Sequence, residues 1–459
     1  MKILVISANR KLLPDPVYPL GAAFVATICR ENGHDVQTFD CNFKIDIQSE
    51  LSHVLNDFKP QIICLSMRNV DNTTIARPIS FLPDFQLVMD VCRQTSDAKI
   101  ILGGSGYSLF PQKFFDALQP DYGVIGNAGS SFIDLLAEIQ RGKSNAKIIY
   151  GGNNNQEKKD IRIDRSFFDL QKYSEVGGLI GVQTQRGCVF KCAYCTYPFL
   201  EGYRLNTRIA SDVVDELAYL KHTFGTKYFF IVDSVFNHSE KHVREICREI
   251  INRKLGIKWS AYLRPKFHDA DIFGIMREAG CKSIELGTDA LAEPTLQSMQ
   301  KGFTIDDVHD FCEQTRKAGI AFCHSLIFGA PGETEETIET TVKNVQATKP
   351  TAALAFAGIR ILPQTALADY CLKSGYLKNE DEITIEPVFY IEPKLDKNWI
   401  LNKLKDVAVH DKRWIVPGLT TPHVITQKLM RMVTKNGQLW EFKKYATMGQ
   451  RLKETLIRK

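Results

Sequence analysis

The sequence predicts an α/β protein with an amino-terminal doubly wound, Rossmann-like parallel sheet, a partial TIM-like β/α barrel and a small, basic, helical C-terminal cap. Three observations carry this. Strand and helix patterns alternate twice, over residues 1–142 and 179–375, and such alternation builds βαβ units and parallel sheets. A polar stretch without it, residues 143–178, reads as a linker. The region 376–459 loses the alternation, and residues 401–459 hold 13 Lys or Arg against 4 Asp or Glu, in a chain whose net charge is only +5.

In the first unit KILVIS is a buried strand and PLGAAFVATICRENG an amphipathic helix closed by a glycine. HDVQTFD and PQIICLSM are the second and third strands, and FLPDFQLVMDVCRQTS is a helix. AKIILGG is the fourth strand, PQKFFDAL a short helix and YGVIG the fifth strand. The strand ends run into SANRKL, SMRNVDN, GGSGYS and GNAGSS, small and polar loops that let backbone approach a large ligand. In the second unit the strands are GVQTQRG, KYFFIVD, KWSAYLR, SIELGTD, AFCHSLIFG and ALAFAGIRILP. Five helical patterns fall between them, from ASDVVDELAYLKHTF to TEETIETTVKNVQAT. Six βα units fit a partial or full barrel, whose site lies at the strand carboxyl ends. In the cap, Leu439, Phe442, Tyr445, Met448 and Leu452 recur at helical spacing among basic residues.

The chain has 459 residues, 44% of them hydrophobic, which excludes extensive disorder. No apolar run approaches the roughly 20 residues of a spanning helix. MKILVISANRKLL lacks a long apolar stretch with a cleavage site. The expectation is a cytoplasmic protein without a transmembrane segment.

Of 12 cysteines, nine are scattered, as buried small hydrophobes are. Cys188, Cys192 and Cys195 crowd into RGCVFKCAYC, with three and then two intervening residues and Tyr194 before the last. Three thiolates leave a tetrahedral zinc site incomplete, and no fourth Cys or His lies close by. They can hold three irons of a 4Fe–4S cluster and leave the fourth open.

This arrangement resembles the radical S-adenosylmethionine superfamily. IVDSVFNH, MREAGCKSIELGTDA, KGFT, LIFGAPGETEET and RILPQTAL resemble strand-end motifs of its subgroup with an N-terminal cobalamin (B12)-binding domain. PLGAAFVATICRENGHDVQTFD and KIILGGSGYSLFP resemble that domain. The resemblance spans roughly residues 1–375. It implies a 4Fe–4S cluster on Cys188, Cys192 and Cys195, with S-adenosylmethionine on the open iron. Reductive cleavage would give a 5′-deoxyadenosyl radical that abstracts hydrogen from an unactivated carbon. Tyr194 would pack near the adenine, Glu285 and Asp289 would face the ribose or amino group, and Ser325 and Gly329 would sit beside the nucleoside. The alternative for Glu285 and Asp289 is a strand pleat with a solvated end. For the APGET run it is a helix amino terminus, with Glu333 facing the dipole.

Cobalamin would meet Ser66, Arg68, Asn69, Asn72, Gly103, Gly104, Ser105 and Gly126 at the strand ends. The familiar cobalt-ligating His after the first strand is missing, since SANRKLLPDP has none and His34 and His53 are misplaced. Cobalamin would therefore be held without an imidazole ligand. GNAGSS also replaces an acidic run usual in relatives. The RNVDN run could instead be an Asx-type turn with a surface salt bridge.

The leading expectation is a C-methyltransferase acting on a small molecule, lipid or peptide, with a flavodoxin- or ferredoxin-type electron donor. Alternatives are a radical enzyme with a non-cobalamin scaffold domain performing rearrangement, oxidation or cyclisation, an RNA-modifying enzyme, and a non-catalytic iron–sulfur sensor. No RNA-binding module is recognisable, so nucleic acid is not an expected partner.

Overall fold

The computed structural model describes residues 1–11, 16–143, 147–151, 162–267, 269–420 and 437–443. Six parallel strands form the first sheet: β1 (Lys2–Ser7), β2 (Asp35–Asp40), β3 (Ile62–Ser66), β4 (Lys99–Gly103), β5 (Tyr122–Ile125) and β6 (Ile148–Tyr150). Their order is β2-β1-β3-β4-β5-β6. The order reverses between β1 and β3, the switch point where open α/β sheets place ligands. Ser7 stands beside Ser66, and Ser66 beside Gly103, so the loops after β1, β3 and β4 leave the sheet at one level.

The expected linker is not one throughout, because β6 continues the sheet beside β5. Three partly exposed residues carry too little periodicity to be read as a strand. Farther on, the linker is bolted down by Arg165. Its guanidinium is buried, pairs with Glu216 and donates to the Gly181 carbonyl at 2.8 Å. The Tyr18 hydroxyl donates to the Arg165 carbonyl at 2.9 Å, so one arginine ties the first sheet to the second unit.

The second sheet opens with β7 (Gly181–Val182). The run GVQTQRG, expected as one strand, breaks at Thr184. Asp233 accepts from the backbone N–H groups of Thr184 and Gln185, at 2.7 and 3.2 Å, and turns the chain away. It then forms β8 (Gln185–Arg186), paired antiparallel with β9 (Asn206–Thr207), and the two strands bracket the cysteine loop. The body of the sheet is β10 (Tyr228–Ile231), β11 (Lys258–Leu263), β12 (Cys281–Asp289), β13 (Ala321–Phe328) and β14 (Ala352–Ala357), all parallel. Helices at Ala210–Phe224, Glu240–Asn252, Ile272–Glu278, Ile305–Lys317 and Glu335–Thr348 fall between these strands as expected. Thr304 and Thr334 start two of them with reciprocal caps.

ALAFAGIRILP also splits. Gly358, at φ +72°, turns β14 into β15 (Ile359–Arg360), which pairs antiparallel with β16 (Phe389–Tyr390). The cap is not all helical. Besides the helix Lys397–His410 it supplies β16 and β17 (Trp414–Ile415), and β17 adds a seventh strand in the order β17-β14-β13-β12-β11-β10-β7. Two-residue strands escape pattern reading because no period fits within them. The remainder of the expected basic helix, with Lys444, Tyr445, Met448, Leu452 and Lys453, lies outside the described residues. Among those described, no helix is long and apolar enough to cross a membrane.

Candidate functional site

The cysteine loop is held at the mouth of the second sheet. Its centre is clamped at Ala193, whose N–H donates to the Met299 carbonyl at 3.0 Å and whose carbonyl accepts from Leu367 N–H at 2.7 Å. Cys188 N–H donates to the Gly202 carbonyl, and Cys195 N–H to that of Cys192, both at 3.0 Å. The Phe190 N–H and the Ser234 hydroxyl face the Cys188 sulfur, and the Tyr197 N–H faces that of Cys195. Burial pushes the Cys195 thiol up to about 12 and the Cys188 thiol upward, and the neighbouring thiols push the same way. These sulfurs ionise together only if a cation joins them, and a bound metal deprotonates its thiols outright. Among the described residues no three Cys, His, Asp or Glu side chains are arranged to chelate a single ion. Three thiols on one clamped loop, with N–H donors facing the Cys188 and Cys195 sulfurs, fit a cluster.

Beneath the loop lies a buried network that sequence reading found only in part. The Tyr194 hydroxyl donates to Asp289, and the Lys301 ammonium pairs with the same carboxylate. Asp289 and Lys301 are 3% and 6% exposed. Asp289 closes β12 at φ +62°, a left-handed conformation that Asp tolerates better than most residues. Burial opposes the Lys301 charge, but Asp289, Cys192 and Cys195 more than offset it and hold its pKa above the ordinary value. On the loop's other side Arg264 lies 4.2 Å over the Phe190 ring and donates to the carbonyls of Lys301 and Gly302. Lys301 was visible only as part of KGFT, and Arg264 gave no local signal, because their contacts are tertiary.

At the first sheet's carboxyl edge the expected contacts divide. With its amide oxygen turned toward Arg68, Asn9 accepts from Nε and Nη2 at 2.9 and 3.2 Å. The Ser105 hydroxyl donates to the Arg68 carbonyl at 2.7 Å. Ser66 and Gly103 end β3 and β4 on the same edge, Gly126 follows the last residue of β5, and Asn69 is exposed beside them. Asn72 does not join this surface. Its side chain closes its own loop, accepting from Ile79 N–H at 3.0 Å and donating to the Arg77 carbonyl at 2.8 Å. The neighbouring salt bridge, expected at the surface, is buried: Asp71 accepts from Arg360 Nε at 2.8 Å and ties this loop to β15. His34 meets the terminal amine of Met1 at 3.3 Å, on the opposite, amino-terminal edge.

Gly104 is the tightest point of this edge. At φ +97° an added Cβ would stand 2.4 Å from the Met67 carbonyl oxygen and 2.9 Å from its nitrogen. Gly104→Ala is therefore expected to cost roughly 2–3 kcal/mol and to displace the Ser105 turn. Denaturant midpoints check this, and a shift under about 0.5 kcal/mol, the level of an ordinary surface change, would refute it.

The interior of the second sheet holds the remaining candidates. His324 contacts Thr288, Cys312 and Thr348 on the helix side, so alternation turns Cys323, Ser325 and Ile327 inward. Glu285 lies mid-strand, four residues below Asp289. It accepts from the Trp440 indole N–H at 3.0 Å and faces the Tyr262 hydroxyl. Burial pushes its carboxyl up to about 7; Trp440 and Tyr262 pull it down and Glu441 pushes it up. Glu285 thus sits a layer beneath the Asp289 network rather than beside it. Gly329, at φ +100°, packs close to Ile391. Glu333 turns back to accept from the N–H groups of Gly329 and Ala330, so it caps that turn rather than only complementing a helix dipole.

The Radical SAM superfamily model matches residues 182–345, and the B12 binding domain model matches residues 8–136. An uncharacterized methyltransferase of Pyrococcus horikoshii, PH0819, is 25% identical, over 85% of this chain and 88% of its own. The tryptophan 2-C-methyltransferase of Streptomyces laurentii is 22% identical, over 78% and 73%. Among solved structures, the radical S-adenosylmethionine methyltransferase TsrM of Kitasatospora setae, with tryptophan and a SAM analog bound, superposes with a TM-score of 0.83. It is 20% identical and covers 99% of both chains. A second TsrM structure holds cobalamin and a [4Fe-4S] cluster. With the glycine-rich edge on one sheet and the cysteine loop on the other, this chain joins a B12 binding domain, over residues 8–136, to a radical S-adenosylmethionine superfamily domain, over residues 182–345.

Proposed function

We propose that the protein is a cobalamin-dependent radical S-adenosylmethionine methyltransferase that methylates a carbon of a small molecule. One observation carries this reading: the carboxyl edges of the two sheets are built against each other. The turn Ser105–Leu109 packs on the helix Tyr197–Glu201 that leaves the cysteine loop, and Arg68 lies within electrostatic reach of Tyr197 and Tyr262. A ligand on one edge and a cluster on the other would share one enclosed space.

When bound, the three groups supply one-electron reduction and a transferable methyl. The chain supplies the rest. Cys188, Cys192 and Cys195 hold iron, and Lys301 and Arg264 place positive charge beside those sulfurs, which favours an added electron. Tyr194 and Asp289 fix the loop's inner wall for S-adenosylmethionine. Gly104 and Gly126 bring backbone close to the corrin, and Asn9 orients Arg68 toward it. Arg165, Asp71 and Arg360 lock the two sheets together, so the shared space excludes water. A flavodoxin- or ferredoxin-type protein delivers the electron.

Anaerobic reconstitution with iron, sulfide and cobalamin tests the reading. The full chain is expected to retain both iron and cobalt. Its Co(II) form should show no protein-nitrogen hyperfine splitting, because no His occurs between residues 54 and 178. Iron without cobalt would replace this reading with a radical enzyme whose first domain is a scaffold.

A further inference from the structure

The residues just past β10, 233–238, clasp the cysteine loop. Asp233 holds the N–H groups of Thr184 and Gln185 in the loop's stem. The Val235 and Phe236 carbonyls accept from the Gln185 amide at 2.6 and 3.2 Å. Asn237 accepts from Arg264 N–H at 2.8 Å and donates to the Arg264 and Lys266 carbonyls at 2.7 and 3.2 Å. Arg264 lies over the Phe190 ring, and His238 meets the same ring at 5.4 Å. These contacts hold backbone, an amide or a ring. Ser234 reaches a sulfur.

The Ser234 hydroxyl donates to the Gly187 carbonyl at 3.0 Å and faces the sulfur of the next residue, Cys188. A hydroxyl has one proton to give and two lone pairs. With Cys188 as a thiol both contacts are satisfied together. The thiol is the donor to the serine oxygen, and the serine proton stays on Gly187. A metal-bound thiolate has no proton to give. The sulfur then carries charge and only accepts. Hydrogen bonds to ionised acceptors are roughly twice as strong as neutral ones, so the serine proton goes to the sulfur. The stem need not move, because Cys188 N–H stays on the Gly202 carbonyl. Rotation of one hydroxyl is enough. Cys188 is buried, so water does not compete for the sulfur.

We propose that Ser234 is a positioning residue for the cluster: its hydroxyl passes from the Gly187 carbonyl to the Cys188 sulfur when that thiolate binds iron, and there it makes the cluster easier to reduce. The inference rests on the proposed radical S-adenosylmethionine reading and adds a control on its cluster. A hydrogen bond to a ligand sulfur draws charge from it and strengthens when an electron is added, which raises the potential. Lys301 acts on Cys192 and Cys195, so the two side chains address different sulfurs.

Potentiometric titration of the anaerobically reconstituted full chain, followed by visible absorbance, tests this on wild type, Ser234→Ala, Ser234→Thr and Ser234→Val. Ser234→Ala is expected to retain iron, since all three thiols remain. Its equilibrium constant for one-electron reduction is expected to fall at least about threefold. Ser234→Thr keeps the hydroxyl and should stay within about twofold of wild type. Ser234→Val has the shape of threonine without its hydroxyl and should follow Ser234→Ala. The Thr–Val contrast decides even if the alanine chain fails to fold. Electron–nuclear double resonance of the reduced cluster, in H2O and D2O, gives a second readout. Ser234→Ala and Ser234→Val should each show one exchangeable proton fewer than wild type and Ser234→Thr. An unchanged reduction equilibrium in the hydroxyl-free variants, no proton lost, Ser234→Thr behaving like Ser234→Val, or loss of iron from Ser234→Ala overturns the inference. A wild-type chain that takes up no iron would instead sink the radical S-adenosylmethionine reading.

Discussion

Replacing Cys192 by alanine is expected to strip the chain of cluster iron and to leave its metal-free fold in place. With Cys188, Cys192 and Cys195 as the proposed ligand set, each loss removes a third of the protein ligands. The loop, by contrast, is positioned by backbone bonds that a side-chain truncation leaves intact. Ala193 stays clamped between Met299 and Leu367, and Cys188 N–H stays on the Gly202 carbonyl. Cys192 is partly exposed, so its truncation should change stability by less than about 0.5 kcal/mol. Cys188 and Cys195 should lose iron equally, with Cys188→Ala costing somewhat more stability because its side chain is buried. Iron analysis and metal-free unfolding midpoints separate the two effects. Near-wild-type iron in any of the three variants would remove that thiol from the ligand set.

The strand and helix alternation, the cysteine triad and the glycine-rich edge were legible because each is local: a period, a spacing or a positive φ is written within a few consecutive residues. What escaped reading was tertiary. β6, β16 and β17 are two or three residues long and exist only because a neighbour offers a free edge. Asp71 and Arg360 are separated by 289 positions, yet form a buried pair. Asn72, one residue on, looked as suitable for a corrin amide as Asn69. Only the fold reveals that its side chain is spent on Arg77 and Ile79. Glu285 and Asp289 were read as neighbours because they share one strand face. β12 shifts register between Leu286 and Asp289, and Asp289 leaves it in a left-handed conformation, so Asp289 meets Tyr194 of the cysteine loop while Glu285 stays beneath, against Trp440. The Gly437–Phe442 turn was read as part of a basic surface helix. Its Gln438, Trp440 and Glu441 instead supply the floor of the lumen, a role set by partners some 150 to 210 residues earlier.

Lys301→Met should be the most destabilising single change near the site. Lys301 and Asp289 are both almost fully buried, and Asp289 sits in a left-handed conformation at the end of β12 that its contacts help to hold. Removing the ammonium leaves a buried carboxylate whose remaining partner shown here is the Tyr194 hydroxyl. Breaking such a pair from one side costs about 3–5 kcal/mol, because the surviving charge is uncompensated, whereas removing both charges together is often close to neutral. Asp289→Asn combined with Lys301→Met should therefore recover most of the loss. The four metal-free chains, wild type, two singles and the double, form a cycle whose unfolding free energies give the coupling directly. A coupling below about 0.5 kcal/mol would mean that the pair is not holding the mouth of the sheet together. The same cycle read on reconstituted samples separates structure from electrostatics. The Lys301 ammonium interacts electrostatically with Cys192 and Cys195, so the double variant should regain stability without regaining the wild-type reduction potential. With the positive charge gone, the cluster should become harder to reduce. A double variant with both stability and potential restored would show that Lys301 serves packing alone.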